Sequence, residues 1–404
     1  MGSWAAARVA DRGASCALLD QFEPGHARGS SHGDGRIYRF AYAEEVYVDM
    51  MAYSLGEWEK LQAFAGKELM AKTGGITANF VSARGTEHDA LADLEAMYRK
   101  RGAPHECLSS DALRKRFPQY VLPADMEALY QPDMGVLFAT SCVQAAWAFA
   151  ESRGAAVKPN TEVVRLVKDG ERVVVATAGG EEIMAKRVIV APGPWLTSVA
   201  SSLLNLDIPT RVTAETVSYF ATRQGCTEDH TFKSMPVFMS YLSNGVGEMG
   251  YYGLPAIDVP GVKVAAHHAG PPVCPSRRPK SAGGPGASQE EEEAAAKRVA
   301  QCVEASRRIV AAQFPGLEPE PFLSQNCLYT DTPDHDYIID RVAGFEAVIL
   351  AGGGSGHAFK MGPAIGELSA CLALGEEPPL AVGAKFSLSR PALRGEHVGP
   401  AQRK

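Results

Sequence analysis

A glycine-rich run, GGGSGHAFKMGP (352–363), stands between an apolar strand signal at 347–351 and a helix signal at 364–374. Strand, glycine loop and helix in that order point backbone N–H groups at an anion or a ring oxygen. The loop lacks GxxxxGK[ST], which argues against a P-loop nucleotide hydrolase. A second pattern opens the chain: helix, turn and a strand ending in an acid, with Gly2 at the helix mouth and Asp20 18 positions later. That is the second half of a dinucleotide-binding βαβ unit, in which the acid accepts hydrogen bonds from the adenosine ribose. Taken alone, a strand-terminal Asp is more often a turn residue. A polar run comes next, GSSHGDGRIYRFAY (29–42), carrying His32, Arg36 and Arg39. In VKVAAHH, alternation places Lys263, Ala265 and His267 on one strand face. A lysine flanked by valines would ordinarily face outward, and Cys327, beside Leu328 and Tyr329, would ordinarily be a buried apolar thiol.

The elements that must position these residues are legible in outline. Helix signals cover 5–12, 45–64, 88–101, 108–117 and 141–153, with Pro118 stopping the fourth. Residues 16–19 read as a buried parallel strand. Residues 156–191 read as a small antiparallel excursion, VVRLV and RVVVATA about a KDGE turn, running into an apolar strand that ends in Pro192-Gly193-Pro194-Trp195. The stretch 211–270 alternates apolar and polar residues with many aromatics, which predicts an antiparallel sheet forming the floor of a substrate site. Residues 272–289 are rich in Pro, Gly and Ser and read as a flexible loop. Ser288 and Glu291 then form a capping box opening a long helix, whose acidic first turn suits the helix dipole.

Composition narrows the classes. The chain has 404 residues, 46% hydrophobic and 22% charged, room for two or three packed units. A net charge of −7 gives no reason to expect nucleic acid or an anionic membrane as partner. No apolar run reaches the roughly 18–20 residues of a spanning helix. Eight cysteines without CxxC or metal-finger spacing suggest reduced, mostly buried thiols in an intracellular compartment, with the cytoplasm as the default location.

Four segments together resemble one family. They are GSSHGDGRIYRFAY (29–42), YYGLPAIDVPGVKVAAHHAG (251–270), NCLYTDTPDHDYIID (326–340) and GGGSGHAFKMGPAIGE (352–367). The chain is similar to the flavin-dependent amine oxidases of the monomeric sarcosine oxidase type, most of all to the eukaryotic peroxisomal sarcosine and pipecolate oxidases. The likeness spans nearly the whole chain.

The resemblance implies an α/β fold with an α+β substrate domain. A Rossmann-like FAD-binding domain of the D-amino-acid-oxidase-like type would be discontinuous over 1–75, 141–210 and 325–385. An antiparallel-sheet substrate domain would take 76–140 and 211–324, with 272–289 as a loop and 386–404 as a tail. It implies FAD attached covalently through Cys327 in a C-[LM]-Y-T motif, with Arg39 and Lys360 gripping a substrate carboxylate. Lys263 and Arg36 would lie beside the flavin, where a cation favours electron transfer to O2. Tyr252 and His267 would line the substrate pocket, with roles in catalysis. The remaining FAD contacts implied are Gly2, Asp20, Ser30, His32, Val164, Gly193, Trp195, Tyr329, Gly353, Gly354, Gly356 and His357. The expected activity is oxidation of sarcosine, pipecolate or proline to an imine by hydride transfer to flavin, with H2O2 as co-product, by a monomer.

The sequence departs from the family in three places. Gly35 stands where Ser or Thr is frequent, and Ala265-Ala266 replaces a bulkier pair ahead of His267. The leading V-x-V-G-x-G is absent, and MGSWAAARVADRG aligns with the segment directly after that motif. Loss of that central strand would expose strand edges and remove pyrophosphate-binding amides, lowering FAD affinity and stability. The chain ends Gln402-Arg403-Lys404, without the Ser-Lys-Leu-like tripeptide of the peroxisomal branch. Two alternatives stay open: a flavin amine dehydrogenase using another acceptor, and an inactive remnant that holds no FAD.

Overall fold

The computed structural model describes residues 1–247, 249–277 and 288–396. Most of the expected 272–289 loop and the last residues of the expected tail lie outside the described residues.

The largest sheet has eight strands, in the order Leu317–Asp331, Arg211–Thr222, Val262–Ala266, Tyr251–Leu254, Val237–Ser240, Gly75–Phe80, Met126–Gln131 and Glu106–Ser109. Its register sets Tyr219 opposite Lys263, and Glu215 opposite Cys327. The sheet is not purely antiparallel, which corrects the expectation: Val237–Ser240 pairs in parallel with Gly75–Phe80. Parallel neighbours need a long crossover, and residues 81–236 supply one. The helix Gln289–Gln313 carries the expected capping box. It lays Cys302, Ala305, Ile309 and Val310 on one stripe against the core beneath this sheet.

The other sheets are smaller. Val188–Val190 pairs in parallel with Phe345–Gly352, whose other edge is antiparallel to Ile338–Val342. Ala17–Leu19 pairs in parallel with Ala156–Lys158. It is only partly buried, contrary to expectation: among the described residues it has this one partner, which covers a single edge. Gly35–Tyr38 lies antiparallel to Gly135–Phe138, whose other edge pairs with Met70–Lys72.

Four helices, Gly2–Asp11, Glu45–Ala65, Ala139–Ser152 and Gly362–Leu374, share one core that includes Trp4, Met50, Trp58 and Ile365. Trp4 meets Trp58 edge to face at 5.1 Å, the geometry that suits the aromatic quadrupole. Gly366 permits this packing, since a Cβ there would lie 2.6 Å from that of Trp4. Buried Arg8 pairs with Glu57, and Arg12 with Glu367, tying the first helix to the second and last.

The cysteines are less buried than expected: Cys142, Cys302 and Cys371 are buried, whereas Cys107 and Cys274 are exposed and all eight are free thiols. Among the described residues, no helix is long and apolar enough to cross a membrane.

Candidate active site

Two cations meet at one backbone carbonyl. The strand Gly35–Tyr38 opens with Gly35, whose oxygen accepts from Nζ of Lys263 at 2.8 Å and from the Arg36 guanidinium at 2.8 Å. Lys263 is 4% exposed, so its strand position faces inward. Burial lowers its pKa to about 8, and the Arg36 charge adds to the effect. Buried Asp34 supplies the opposing charge, with its carboxyl pushed up by burial and pulled back by the Asp258 N–H and Lys263. The Arg36 guanidinium also donates to the carbonyls of Ser30 and His32 at 2.8 and 2.9 Å and stands 3.8 Å from Sγ of Cys327. Ser30 fixes this loop to the cysteine's strand, since its hydroxyl donates to the Leu328 carbonyl and accepts from the Leu328 N–H.

A second pair of cations converges on Tyr42. Its ring carries Arg39 at 4.4 Å and Nζ of Lys360 at 5.4 Å from the centroid, a cation–π arrangement on both counts. Burial holds the Lys360 ammonium well below its usual range, and Arg39 pushes the same way. The lysine donates to the His357 carbonyl at 2.8 Å. His357 is held in turn through Nδ1 by the Tyr337 hydroxyl at 2.7 Å and the Tyr42 hydroxyl at 3.3 Å. A buried ammonium beside a partly buried guanidinium is costly unless an anion joins them.

Tyr252, His267 and Tyr329 form the third group. The Tyr329 hydroxyl is 3.2 Å from Nδ1 of His267, and the Tyr252 ring meets the imidazole at 5.4 Å. Burial keeps His267 neutral, reinforced by His268, Arg39 and Lys360. Burial also raises the phenols of Tyr252 and Tyr329.

These groups line one cavity of about 2220 Å³, larger than the roughly 300–1,000 Å³ of a site for a drug-sized ligand. It extends from Tyr252, His267 and Lys360 past Cys327 to Gly2, Asp20, Gly193 and Trp195. The glycine loop forms part of the wall through Gly353, Gly354, Gly356 and His357. Gly356 has φ +75°, and a Cβ there would lie 2.5 Å from the Tyr329 ring, so the loop needs glycine to lie this close. Asp20 accepts from the Phe22 N–H at 2.9 Å, the turn role its position suggested, while still lining the cavity. Val164 rims the cavity but is 48% exposed. His32 is placed apart: it gives its carbonyl to Arg36 and its side chain is not in the cavity wall.

Residues 1–372 match the family described as DAO, FAD dependent oxidoreductase. The chain belongs to the FAD-dependent oxidoreductases. Within them it is a sarcosine oxidase-like amine oxidase. It is 31% identical to a probable sarcosine oxidase of Arabidopsis thaliana, covering 93% of this chain and 86% of that one. It is also 31% identical to a monomeric sarcosine oxidase of Bacillus sp. (strain B-0618), with 98% and 94% covered. The fold is that of glycine oxidase from Geobacillus kaustophilus, at a TM-score of 0.74 and 18% identity, covering 98% of this chain and 96% of that one. The cavity fits FAD: its volume of about 2220 Å³ exceeds that of a drug-sized site, and its wall includes Gly353, Gly354 and Gly356 together with Arg36, Lys263 and Cys327.

Sequence reasoning missed Tyr42, Tyr337 and Asp34. Tyr42 closes the quoted 29–42 run, but a tyrosine that receives two cations has no spacing signature. Asp34 precedes the noted glycine and gave no signal of its own.

Proposed function

We propose that this enzyme oxidises a small secondary amino acid of the sarcosine, pipecolate or proline type, with O2 reduced to H2O2. The observation that carries the reading is the convergence of Arg39 and Lys360 on Tyr42, beside His267 and in the same cavity as Lys263, Arg36 and Cys327.

Arg39 and Lys360 hold the carboxylate, which relieves the mutual repulsion of the two cations. A fixed carboxylate orients the adjacent Cα–H, and neutral His267 with Tyr252 faces the amine. The amine reacts unprotonated: its lone pair forms the C=N bond as the Cα–H bond breaks and hydride departs. Water then hydrolyses the imine. Bound FAD, carried on Cys327, supplies the two-electron acceptor for that hydride and the donor for O2. Lys263 and Arg36 stabilise the negative charge that oxygen gains in a water-poor site. Gly2, Asp20, Ser30, Gly193, Trp195 and the 353–356 loop would hold the rest of the cofactor.

The same reading assigns the 1–75, 141–210 and 325–385 segments to the cofactor body, the 76–140 and 211–324 segments to the substrate body, and a monomer as the working form. Lys263 favours oxygen over another acceptor. The test is a peroxide assay on FAD-loaded protein with each amine, with and without an artificial acceptor. One H2O2 per amine consumed supports the oxidase; turnover confined to the artificial acceptor overturns the oxygen half of the reading.

A further inference from the structure

Tyr337 stands outside the cavity wall and is fully buried, yet its hydroxyl bonds to His357, which is in the wall. The 2.7 Å bond to Nδ1 is the shorter of two at this nitrogen, since the Tyr42 hydroxyl lies at 3.3 Å. On the other side of the ring, Nε2 is 3.1 Å from the His335 carbonyl. A carbonyl only accepts, so Nε2 carries the imidazole proton and Nδ1 accepts from Tyr337. Burial keeps the Tyr337 phenol protonated and therefore able to donate. The tautomer and orientation of His357 are thus set from behind the wall.

The backbone around this bond is held firmly. His335 has φ +60°, a region that costs a non-glycine residue free energy, and its carbonyl is the one that receives Nε2. Arg390, paired with Asp334 at 2.8 Å, donates to the Tyr337 carbonyl at 2.8 Å. The Tyr337 ring meets Tyr47 edge-on at 5.5 Å and Phe386 at 5.4 Å.

His357 joins this anchor to the substrate clamp. Its carbonyl accepts from Nζ of Lys360 at 2.8 Å, and the Tyr337 hydroxyl is 3.2 Å from the same oxygen. Trp58 fixes the Lys360 backbone separately, its Nε1 donating to the Lys360 carbonyl at 2.8 Å. Among the described residues no carboxylate pairs with Lys360, so the His357 carbonyl and the Tyr42 ring place its ammonium. Hydrogen bonds are directional, so a His357 that turns or slides takes the ammonium with it.

We propose that Tyr337 is a positioning residue for substrate binding: its hydroxyl, through His357, holds the Lys360 ammonium where it meets the substrate carboxylate. The proposal rests on the reading of Lys360 as a carboxylate ligand. Tyr337 is not in the cavity wall, so its effect falls on affinity for the carboxylate and leaves the hydride step alone.

The test compares FAD-loaded wild type, Tyr337→Phe, Lys360→Met and the double variant, each checked by thermal melting. Acetate, a carboxylate with no amine to oxidise, is titrated by calorimetry. The proposal expects Tyr337→Phe to weaken acetate binding about 10-fold, the scale of one hydrogen bond. KM for the amino acid rises by the same factor, while the anaerobic flavin reduction rate at saturation stays within about twofold of wild type. In NMR spectra of nitrogen-labelled histidine, the His357 Nδ1 resonance, assigned by its loss in His357→Phe, shifts. In the Lys360→Met background, Tyr337→Phe leaves acetate affinity nearly unchanged, because the hydroxyl acts through that ammonium.

Unchanged acetate affinity in Tyr337→Phe overturns the proposal alone. So does an unmoved His357 Nδ1 resonance, or an equal loss with and without Lys360. Should Tyr337→Phe fail to fold, His357→Phe keeps a ring and removes both nitrogens; the same loss of affinity is expected there, and none would overturn the proposal. Acetate affinity that Lys360→Met leaves at the wild-type value overturns the proposal together with the clamp reading beneath it.

Discussion

Lys263 and Arg36 donate to the same acceptor, the Gly35 carbonyl, each at 2.8 Å. Two cations on one oxygen form a fixed positive centre that the protein maintains against burial. In the proposed reaction that centre serves O2, so Lys263→Met should leave anaerobic flavin reduction within a few-fold of wild type. It should slow reoxidation by O2 about 10²–10³-fold, the scale for removing one preorganised stabiliser. Stopped-flow traces of the two half-reactions separate the effects, and an equal loss in both would contradict this role.

The same lysine gives a pH signature. Burial brings its pKa from 10.5 to about 8 in the folded protein. Between those values the unfolded chain binds more protons, so this group makes stability rise with pH across that window. Below pH 8 the folded state carries the full penalty of a buried ammonium, roughly 3 kcal/mol at 1.36 kcal/mol per unit. The Tm of Lys263→Met should therefore exceed that of wild type most below pH 8, with the gap shrinking toward pH 10.5. Melting curves of both proteins across that range check the sign.

Gly35 is a packing requirement. A Cβ at this position would lie 2.6 Å from Cδ1 of Ile257 and 3.0 Å from Cδ2 of Leu254. Gly35→Ser, which restores the residue frequent in the resembled family, should destabilise by about 1–3 kcal/mol through overpacking. Adding Ile257→Val should recover part of that loss. Denaturant midpoints of the single and double variants measure it, and a neutral single variant would mean the Ile257 side chain gives way freely.

For the substrate clamp, Arg39→Lys keeps the charge and loses the planar fork. KM for the amino acid should rise about 10-fold or more, as expected for loss of roughly 1.4 kcal/mol of charge-assisted hydrogen bonding. Replacing the substrate by its decarboxylated amine should abolish the difference between variant and wild type. A persistent difference would place Arg39 elsewhere in the reaction.

Cys327 makes the attachment testable without turnover. Acid-precipitated wild type loaded with FAD should retain yellow colour in the pellet, and Cys327→Ala should release it to the supernatant. Colour in the supernatant from both proteins would remove the covalent bond from the account.

Much of this arrangement was legible in the chain. Glycine loops, helix caps and the alternation in 262–267 depend on local rules, and they located the wall of the cavity. The capping box at Ser288 formed as read. The inward Lys263 ran against its valine neighbours, because its partner, Gly35, comes from far along the chain. The parallel pairing of Val237–Ser240 with Gly75–Phe80 likewise joins distant segments, which alternation within 211–270 does not register. Tyr42 was hidden for a similar reason: its importance lies in two cations that only the folded chain brings to one ring.

The most direct measurement is anaerobic titration of the FAD-loaded protein with sarcosine, pipecolate and proline in turn, following the oxidised flavin absorbance near its long-wavelength maximum. The account predicts that at least one of these amino acids bleaches that absorbance completely, and that Lys360→Met weakens the response. Unchanged absorbance at saturating concentrations of all three would contradict it.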